Sequence, residues 1–145
     1  MASLKLLALD TEDLAVVSAH MQDAVFKTAD IAYAPRAGQL SLAVNRFVWE
    51  KDLRDDNSFE RRRAVLTFKR VEAVRSIGFD RGNGDQVLSL LALRFEPRGE
   101  GPDGLLELVL SGDAMISLDV ECIEAQLADT GGAWGTASMP KHPDS

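Results

Sequence analysis

Three consecutive arginines, Arg61, Arg62 and Arg63, are the residues whose type and spacing most clearly point to chemistry in this sequence. A guanidinium group is always charged, forms paired hydrogen bonds with phosphate or carboxylate, and stacks on aromatic rings. Arg46 and Trp49 stand at the other end of the polar loop that precedes the cluster. We therefore predict that these five residues form a binding site for an anionic small ligand or an acidic protein partner.

The same arginines fit a plainer interpretation, in which they form exposed ion pairs with nearby acids. The candidate acids are Asp55, Asp56 and Glu60. In a strand, Arg61 and Arg63 share one face and Arg62 takes the other, so all three converge on one ligand only if the strand bends. Exposed ion pairs of this kind contribute about 0–1 kcal/mol each. The sequence leaves both interpretations open.

The remaining reactive residue types do not form a recognisable catalytic or metal site. The two histidines, His20 and His142, and the single cysteine, Cys122, are too few for a structural zinc site with four N or S ligands. His20 falls near the end of a predicted helix, where a positive charge favours the helix dipole. Cys122 has glutamates close by, and their charges oppose formation of a thiolate. We predict no catalytic residue, no metal site and no cofactor.

The charge distribution sets this arginine segment apart from the rest of the chain. The 145 residues carry a net charge of -7, which argues against generic nucleic-acid binding. Residues 46–75 carry nine basic and six acidic groups, so this segment is +3 and the remainder is -10. No apolar run approaches the roughly 18 residues of a membrane helix. With one cysteine and no signal-peptide pattern, the sequence predicts a cytoplasmic protein.

Two helices are predicted, one near each end of the chain. Asp10 has the pattern of an N-cap for the first helix, and Asp119 has the pattern of an N-cap for the second. The apolar stripes of the two helices are Leu14, Val17 and Met21, and Val120, Ile123 and Leu127. Gly131 or Gly132 would end the second helix, and Cys122 would lie in its first turn.

The rest of the pattern is typical of antiparallel strands. Alternating apolar residues predict strands at 4–9, 24–27, 31–34, 39–49, 87–95, 105–110 and 114–118. A further long strand begins at Ala64, where a shift of phase between Phe68 and Val71 indicates a bulge. Residues 80–85 predict a hairpin loop. This order predicts an α+β fold with a mostly antiparallel sheet or partly closed barrel, whose layout resembles pleckstrin-homology-like barrels.

The domain organisation predicted from composition is simple. Residues 1–131 form a single globular domain, and residues 132–145, rich in Gly, Ser and Pro, form a loosely ordered tail. Trp134 lies in this tail and either anchors it to the domain or contacts a partner.

Three blocks of the sequence together resemble a known family. They are L-K-L-L-A-L-D-T-E-D-L-A-V-V-S-A-H-M-Q-D-A-V from Leu4, N-R-F-V-W-E with R-R-R downstream, and I-S-L-D-V-E-C-I-E-A-Q-L-A-D from Ile116. They are similar to a small bacterial family catalogued as a domain of unknown function. The resemblance implies a free-standing bacterial domain and brings no activity, cofactor or site residue with it.

The sequence alone therefore leaves the biochemical function unknown. Its best interpretation is a non-enzymatic domain that binds a protein or an anionic ligand. The alternative is an enzyme, or an enzyme subunit, with a carboxylate and arginine pocket that the sequence does not reveal. A homodimer joined through an exposed strand edge is a third hypothesis.

Overall fold

The computed structural model describes residues 4–48, 60–80 and 82–135, and the side chains of these except for residues 60 and 131–135. Within this part of the chain there are one α-helix, ten strands and two short 3-10 helices at Thr28–Asp30 and Pro35–Ala37. The helix is α1 (Thr11–Met21). The strands are β1 (Lys5–Ala8), β2 (Ala24–Lys27), β3 (Ile31–Ala34), β4 (Gln39–Phe47), β5 (Glu60–Phe68), β6 (Val71–Ile77), β7 (Val87–Pro97), β8 (Gly104–Leu110), β9 (Met115–Val120) and β10 (Ala125–Gly135).

The helix α1 begins where the capping pattern places it. The Asp10 side chain accepts a hydrogen bond of 2.8 Å from the backbone N–H of Asp13, which satisfies one of the helix's unpaired donors. Its apolar stripe faces the sheet, and Leu14, Val17 and Met21 are buried. Because these side chains recur every three to four residues, one face of the helix covers the sheet and the other stays in water.

The ten strands form one antiparallel sheet in the order β1-β10-β5-β4-β2-β7-β8-β9-β6, with β3 also pairing with β4. The sheet is open among the described residues, because β1 and β6 stand at its two ends. The partly closed barrel of the sequence prediction is therefore wrong, and the mostly antiparallel sheet is confirmed. Alternate residues of each strand point into one shared core, as Leu106, Leu108 and Leu110 of β8 do.

The predicted C-terminal helix is wrong, because residues 125–135 form strand β10. Ile123, Ala125 and Leu127 are buried while the residues between them are only partly so, a period of two rather than 3.6. The small Ala125 hid this alternation in the sequence. β10 pairs with β5 on one side and β1 on the other, so its backbone hydrogen bonds go to neighbouring strands. The pleckstrin-homology-like layout, which needs that helix, loses its support.

Two further predictions about strand connections are wrong. The single long strand predicted from Ala64 is two strands, β5 and β6, which are separated at Arg70 with a positive φ of 61° and pair with different partners. A register shift of the predicted kind does follow this break, between Val71 and Ala73 in the pairing of β6 with β9. The loop at 80–85 does not close a hairpin, because β6 pairs with β9 whereas β7 pairs with β2 and β8. Apolar alternation identifies a strand but carries no information about its partner.

The predicted boundary between domain and tail at residue 131 falls inside a strand. β10 continues to Gly135, and the remainder of the predicted tail lies outside the described residues. The division into domain and tail stays a prediction.

Candidate functional site

Two of the predicted site arginines point into the molecule. Arg46 of β4 and Arg62 of β5 are partners across the two strands, and both are buried. Arg46 holds the Asp129 carboxylate in a paired contact, with Nε 2.9 Å from Oδ1 and Nη2 3.0 Å from Oδ2. Arg62 Nη1 lies 3.8 Å from the same Oδ2 atom. The three side chains form a buried cluster, which we call the arginine–aspartate cluster.

The carboxylate of Asp129 offsets the repulsion between the buried charges of Arg46 and Arg62. Like charges directly opposite each other on neighbouring strands repel, and a buried charge is costly unless a hydrogen-bonded partner compensates it. The Asp129 side chain is 1% exposed and lies against both guanidinium groups. Its Oδ2 also accepts the Leu4 backbone N–H at 2.9 Å, and its own N–H donates to the Leu4 carbonyl at 3.0 Å. Asp129 thus ties the start of β1 to β4, β5 and β10.

Asp129 is the residue that the sequence interpretation missed. It ends the I-S-L-D-V-E-C-I-E-A-Q-L-A-D block, and the part of this block that follows the predicted cap Asp119 is predicted to be a helix. If the block is taken as a strand, Asp129 falls on the same face as Ile123, Ala125 and Leu127, which is the buried face. An acid on a buried face, with two arginines elsewhere on predicted strands, was the available signal.

Arg61 and Arg63, which flank Arg62 in the sequence, lie on the opposite face of β5. Arg61 Cζ lies 4.0 Å from the centre of the Phe47 ring, an attractive contact between a cation and the face of an aromatic ring. Burial lowers the pKa of the Arg61 guanidinium below its ordinary value, because the charged form has lost part of its hydration. Arg63 is exposed two residues further along, on the same face. We call the surface formed by Phe47, Arg61 and Arg63 the outer arginine face.

A groove with a volume of about 500 Å³ begins at Arg63, on the side of the sheet that carries the outer arginine face. The residues lining it come from β2, β4, β5, β7 and β10 and from the first 3-10 helix. Its polar side chains are Lys27, Asp30, Asn45, Arg63 and Thr130. This volume falls within the usual range of about 300–1,000 Å³ for small-ligand sites.

Several predicted site residues lie outside the described part of the chain. They are Trp49 and the acids Asp55 and Asp56, and the side chain of Glu60 is not described. Trp134 pairs through its backbone with Arg61, but its side chain is also outside the description. The structure therefore brings Arg46 and Arg62 together in the core and places Arg61 and Arg63 on the surface.

Asp119 has a role different from the predicted helix cap. It lies in β9 and accepts hydrogen bonds from Arg75 at 2.9 Å and from Arg98 at 2.7 Å. The Arg75 hydrogen bond, and then the charges of both arginines, hold the pKa of the Asp119 carboxyl below its usual value of 3.8. Asp119, Arg75 and Arg98 thus form an ion-pair network on the surface, which connects β6 to β9.

The remaining candidates of the sequence interpretation, His20 and Cys122, lie away from the arginine–aspartate cluster in the chain's fold. His20 lies in the last turn of α1, as predicted. Cys122 lies between β9 and β10 rather than in a helix, and it is partly exposed. Over the described ranges, no group of three or more His, Cys, Asp or Glu side chains could hold a metal ion. The only α-helix in that part of the chain, α1, is too short to cross a membrane.

The comparison with protein families gives one result. The family described as a protein of unknown function (DUF2948) matches residues 4–142, nearly the whole chain. The chain belongs to this family. The resemblance to a domain of unknown function is therefore confirmed, and the match spans every residue of both the arginine–aspartate cluster and the outer arginine face. Comparison of this DUF2948 chain with curated proteins and with solved structures gives no match.

Proposed function

We propose that this DUF2948 chain is a non-enzymatic binding domain that uses its outer arginine face to hold an acidic protein partner or another anionic ligand. The observation that carries the proposal is the state of Arg61. Its guanidinium is partly buried against the Phe47 ring, and no carboxylate among the described residues forms an ion pair with it. A cation that has lost hydration, with no acid of the described chain against it, is suited to receive one from another molecule.

Two physical features favour an anion at this position. The aromatic ring holds the guanidinium plane in place, so less side-chain entropy is lost when the edge N–H groups bind a carboxylate or phosphate. Arg63 lies on the same face and, within the described chain, forms no ion pair either. A second cation about 7 Å further along the strand extends the positive surface by two residue spacings.

The arginine–aspartate cluster supports the face without contacting a ligand itself. Arg46 and Asp129 are almost completely shielded from solvent, at 0% and 1% side-chain exposure. This burial speaks against the alternative of an enzyme that uses them as a substrate pocket. Their contribution is to fix the two strands from which Phe47 and Arg61 project.

The proposal is tested with a fluorescent octaglutamate peptide, whose binding is followed by anisotropy at two salt concentrations. We expect the wild type to bind, and the double variant Arg61→Gln with Arg63→Gln to lose about tenfold or more in affinity, since hydrogen bonds to charged groups contribute about 1.5–3 kcal/mol each. Raising the ionic strength from low to physiological should weaken the wild type, because exposed charges are screened. Arg62 is kept unchanged in every variant because its removal would alter the core.

A matched control is the double variant Arg36→Gln with Arg94→Gln. This control also removes two positive charges, but from exposed positions on other parts of the surface. Equal loss in both double variants would show that only net charge matters and would reject the outer arginine face. Binding that is insensitive to salt would reject it as well.

The cytoplasm stays the proposed location. Its support is the single cysteine, which excludes an intramolecular disulfide in this chain and fits a reducing compartment.

A further inference from the structure

We propose that the groove beside Arg63 binds an extended acidic peptide segment of a partner protein, in which an acidic side chain stands next to an apolar one. This inference rests on the proposed function, because it names the ligand of the same side of the sheet.

The groove exists because two neighbouring strands separate. β2 and β4 share a single pairing, Val25 with Asn45. After Lys27 the chain leaves β2 for the 3-10 helix Thr28–Asp30, and β4 takes β3 as its next partner at Leu42. The cleft left between β2 and β4 is a fixed feature of the fold, because strand pairing on both sides holds its walls.

A bulge in β10 shapes the other end of the groove. Asp129 pairs with Ala64 and Ala133 pairs with Arg62, so residues 130–132 stand opposite Arg63 alone. Bulges bend a strand and redirect side chains, and they are common beside functional sites. Here the bulge begins directly after the buried Asp129 and brings Thr130 into the groove lining. The arginine–aspartate cluster therefore fixes the position at which β10 departs from β5.

The charge of the groove matches one carboxylate. Lys27 and Arg63 supply two positive charges and Asp30 supplies one negative charge. The Asp30 carboxylate already accepts the Lys27 backbone N–H at 2.9 Å, where it caps the 3-10 helix. The net charge of the groove lining is therefore +1, whereas the net charge of the whole chain is -7. Asn45 and Thr130 add neutral hydrogen-bonding groups, so a ligand with a single negative charge is complemented best.

The length and apolar content of the groove favour a peptide over a small anion. The lining runs across five strands, from β10 to β7, which is roughly 19 Å along the sheet at a spacing of about 4.8 Å. An extended chain of about six residues covers this distance at roughly 3.4 Å per residue. Val87, which is 57% exposed, and Val25 provide apolar surface within the groove. A single phosphate or carboxylate would leave most of this surface uncovered.

The test is selection from a random hexapeptide library displayed on phage, with the full chain immobilised. We expect the selected peptides to share Asp or Glu beside Leu, Ile or Val. The variant Ala43→Trp fills the groove without changing a charge, and we expect it to retain about tenfold less of the selected phage. The control is Ala32→Trp, since Ala32 is also an exposed strand alanine but lies outside the groove, and it should retain as much as wild type.

The possible outcomes separate this inference from the proposed function. Acidic peptides that depend on Arg61 and Arg63 but tolerate Ala43→Trp would support the outer arginine face and overturn the groove. Peptides without an acid, or peptides indifferent to Ala43→Trp, would overturn the groove, whereas the octaglutamate measurement decides the outer arginine face separately. Inorganic phosphate is tested in competition. If it displaces the selected peptides from wild type with an affinity equal to theirs, the site is for a small anion and the peptide proposal fails.

Discussion

Arg46 and Arg62 lie directly opposite each other on β4 and β5, with both guanidinium groups buried and turned towards the same carboxylate, that of Asp129. Two like charges in this position repel each other, and the carboxylate that lies against both of them offsets this repulsion. The cluster is thus part of the core, and it lies directly beneath the face that we propose to bind anions.

Replacing Asp129 should therefore destabilise the fold strongly. Asp129→Asn keeps the size of the side chain but removes the negative charge that lies against both buried arginines, and we expect a loss of about 3–5 kcal/mol in the free energy of unfolding. Urea denaturation followed by circular dichroism measures it. The control is Asp113→Asn, at an exposed turn residue, which should stay within about 0.5 kcal/mol of wild type. Similar stability of the two variants would contradict the compensating role of Asp129.

The two buried arginines should not be equivalent. Arg46 contacts both oxygens of Asp129 at 2.9 and 3.0 Å, and its Nη1 also donates to the Phe47 carbonyl at 3.1 Å. Arg62 lies 3.8 Å from one oxygen. We expect Arg46→Met to cost about 3–5 kcal/mol, as for breaking a buried ion pair, and the coupling energy to Asp129 in a double-mutant cycle to be larger for Arg46 than for Arg62. The same urea measurement decides it, and a larger coupling energy for Arg62 would be the opposite result.

The Asp119 network should make a pH-dependent contribution to stability. Its pKa in the folded state is lower than 3.8, chiefly through the Arg75 hydrogen bond. The folded state therefore binds this proton less readily than the unfolded state. The contribution is complete at pH values above 3.8 and disappears as the pH falls through the lowered folded-state pKa.

A carboxyl ¹³C NMR titration tests this directly. Arg75→Gln should raise the pKa of Asp119 towards its usual value, and Arg98→Gln should raise it by less, because the Arg75 hydrogen bond is the largest cause of the shift. Arg94→Gln removes a charge that pairs with Glu107 instead and should leave the Asp119 titration unchanged. An unchanged titration in Arg75→Gln would refute the assignment.

Gly104 should be intolerant of any side chain. A Cβ atom there would lie 2.5 Å from Phe95 Cζ and would also collide with the Glu96 carbonyl oxygen. Because that oxygen belongs to the paired strand β7, it cannot move aside easily, and we expect Gly104→Ala to cost about 1–3 kcal/mol. Gly99→Ala meets nothing within 4 Å and serves as the control, with little change in the midpoint of thermal unfolding. Equal midpoints would contradict this packing.

Much of the local structure could be predicted because neighbouring residues determine it. The capping pattern at Asp10 and the stripe of Leu14, Val17 and Met21 define α1 through contacts within a few residues of each other. Strand alternation also placed Arg62 on the face opposite Arg61 and Arg63, and the structure has them so. Where the local signal was weak, as at the small Ala125, a strand was mistaken for a helix.

By itself, therefore, the sequence determined most of the extended segments, though not β10, and also where α1 begins and which arginines share a side of their strand. Only the tertiary structure decided the order of the strands, the open sheet, and the contact between Arg46 and Asp129, which are 83 residues apart. It also decided where β2 and β4 separate to leave the groove. The physical reason is that periodicity records which side of a strand meets the core, whereas the partner of a strand depends on the packing of the whole sheet.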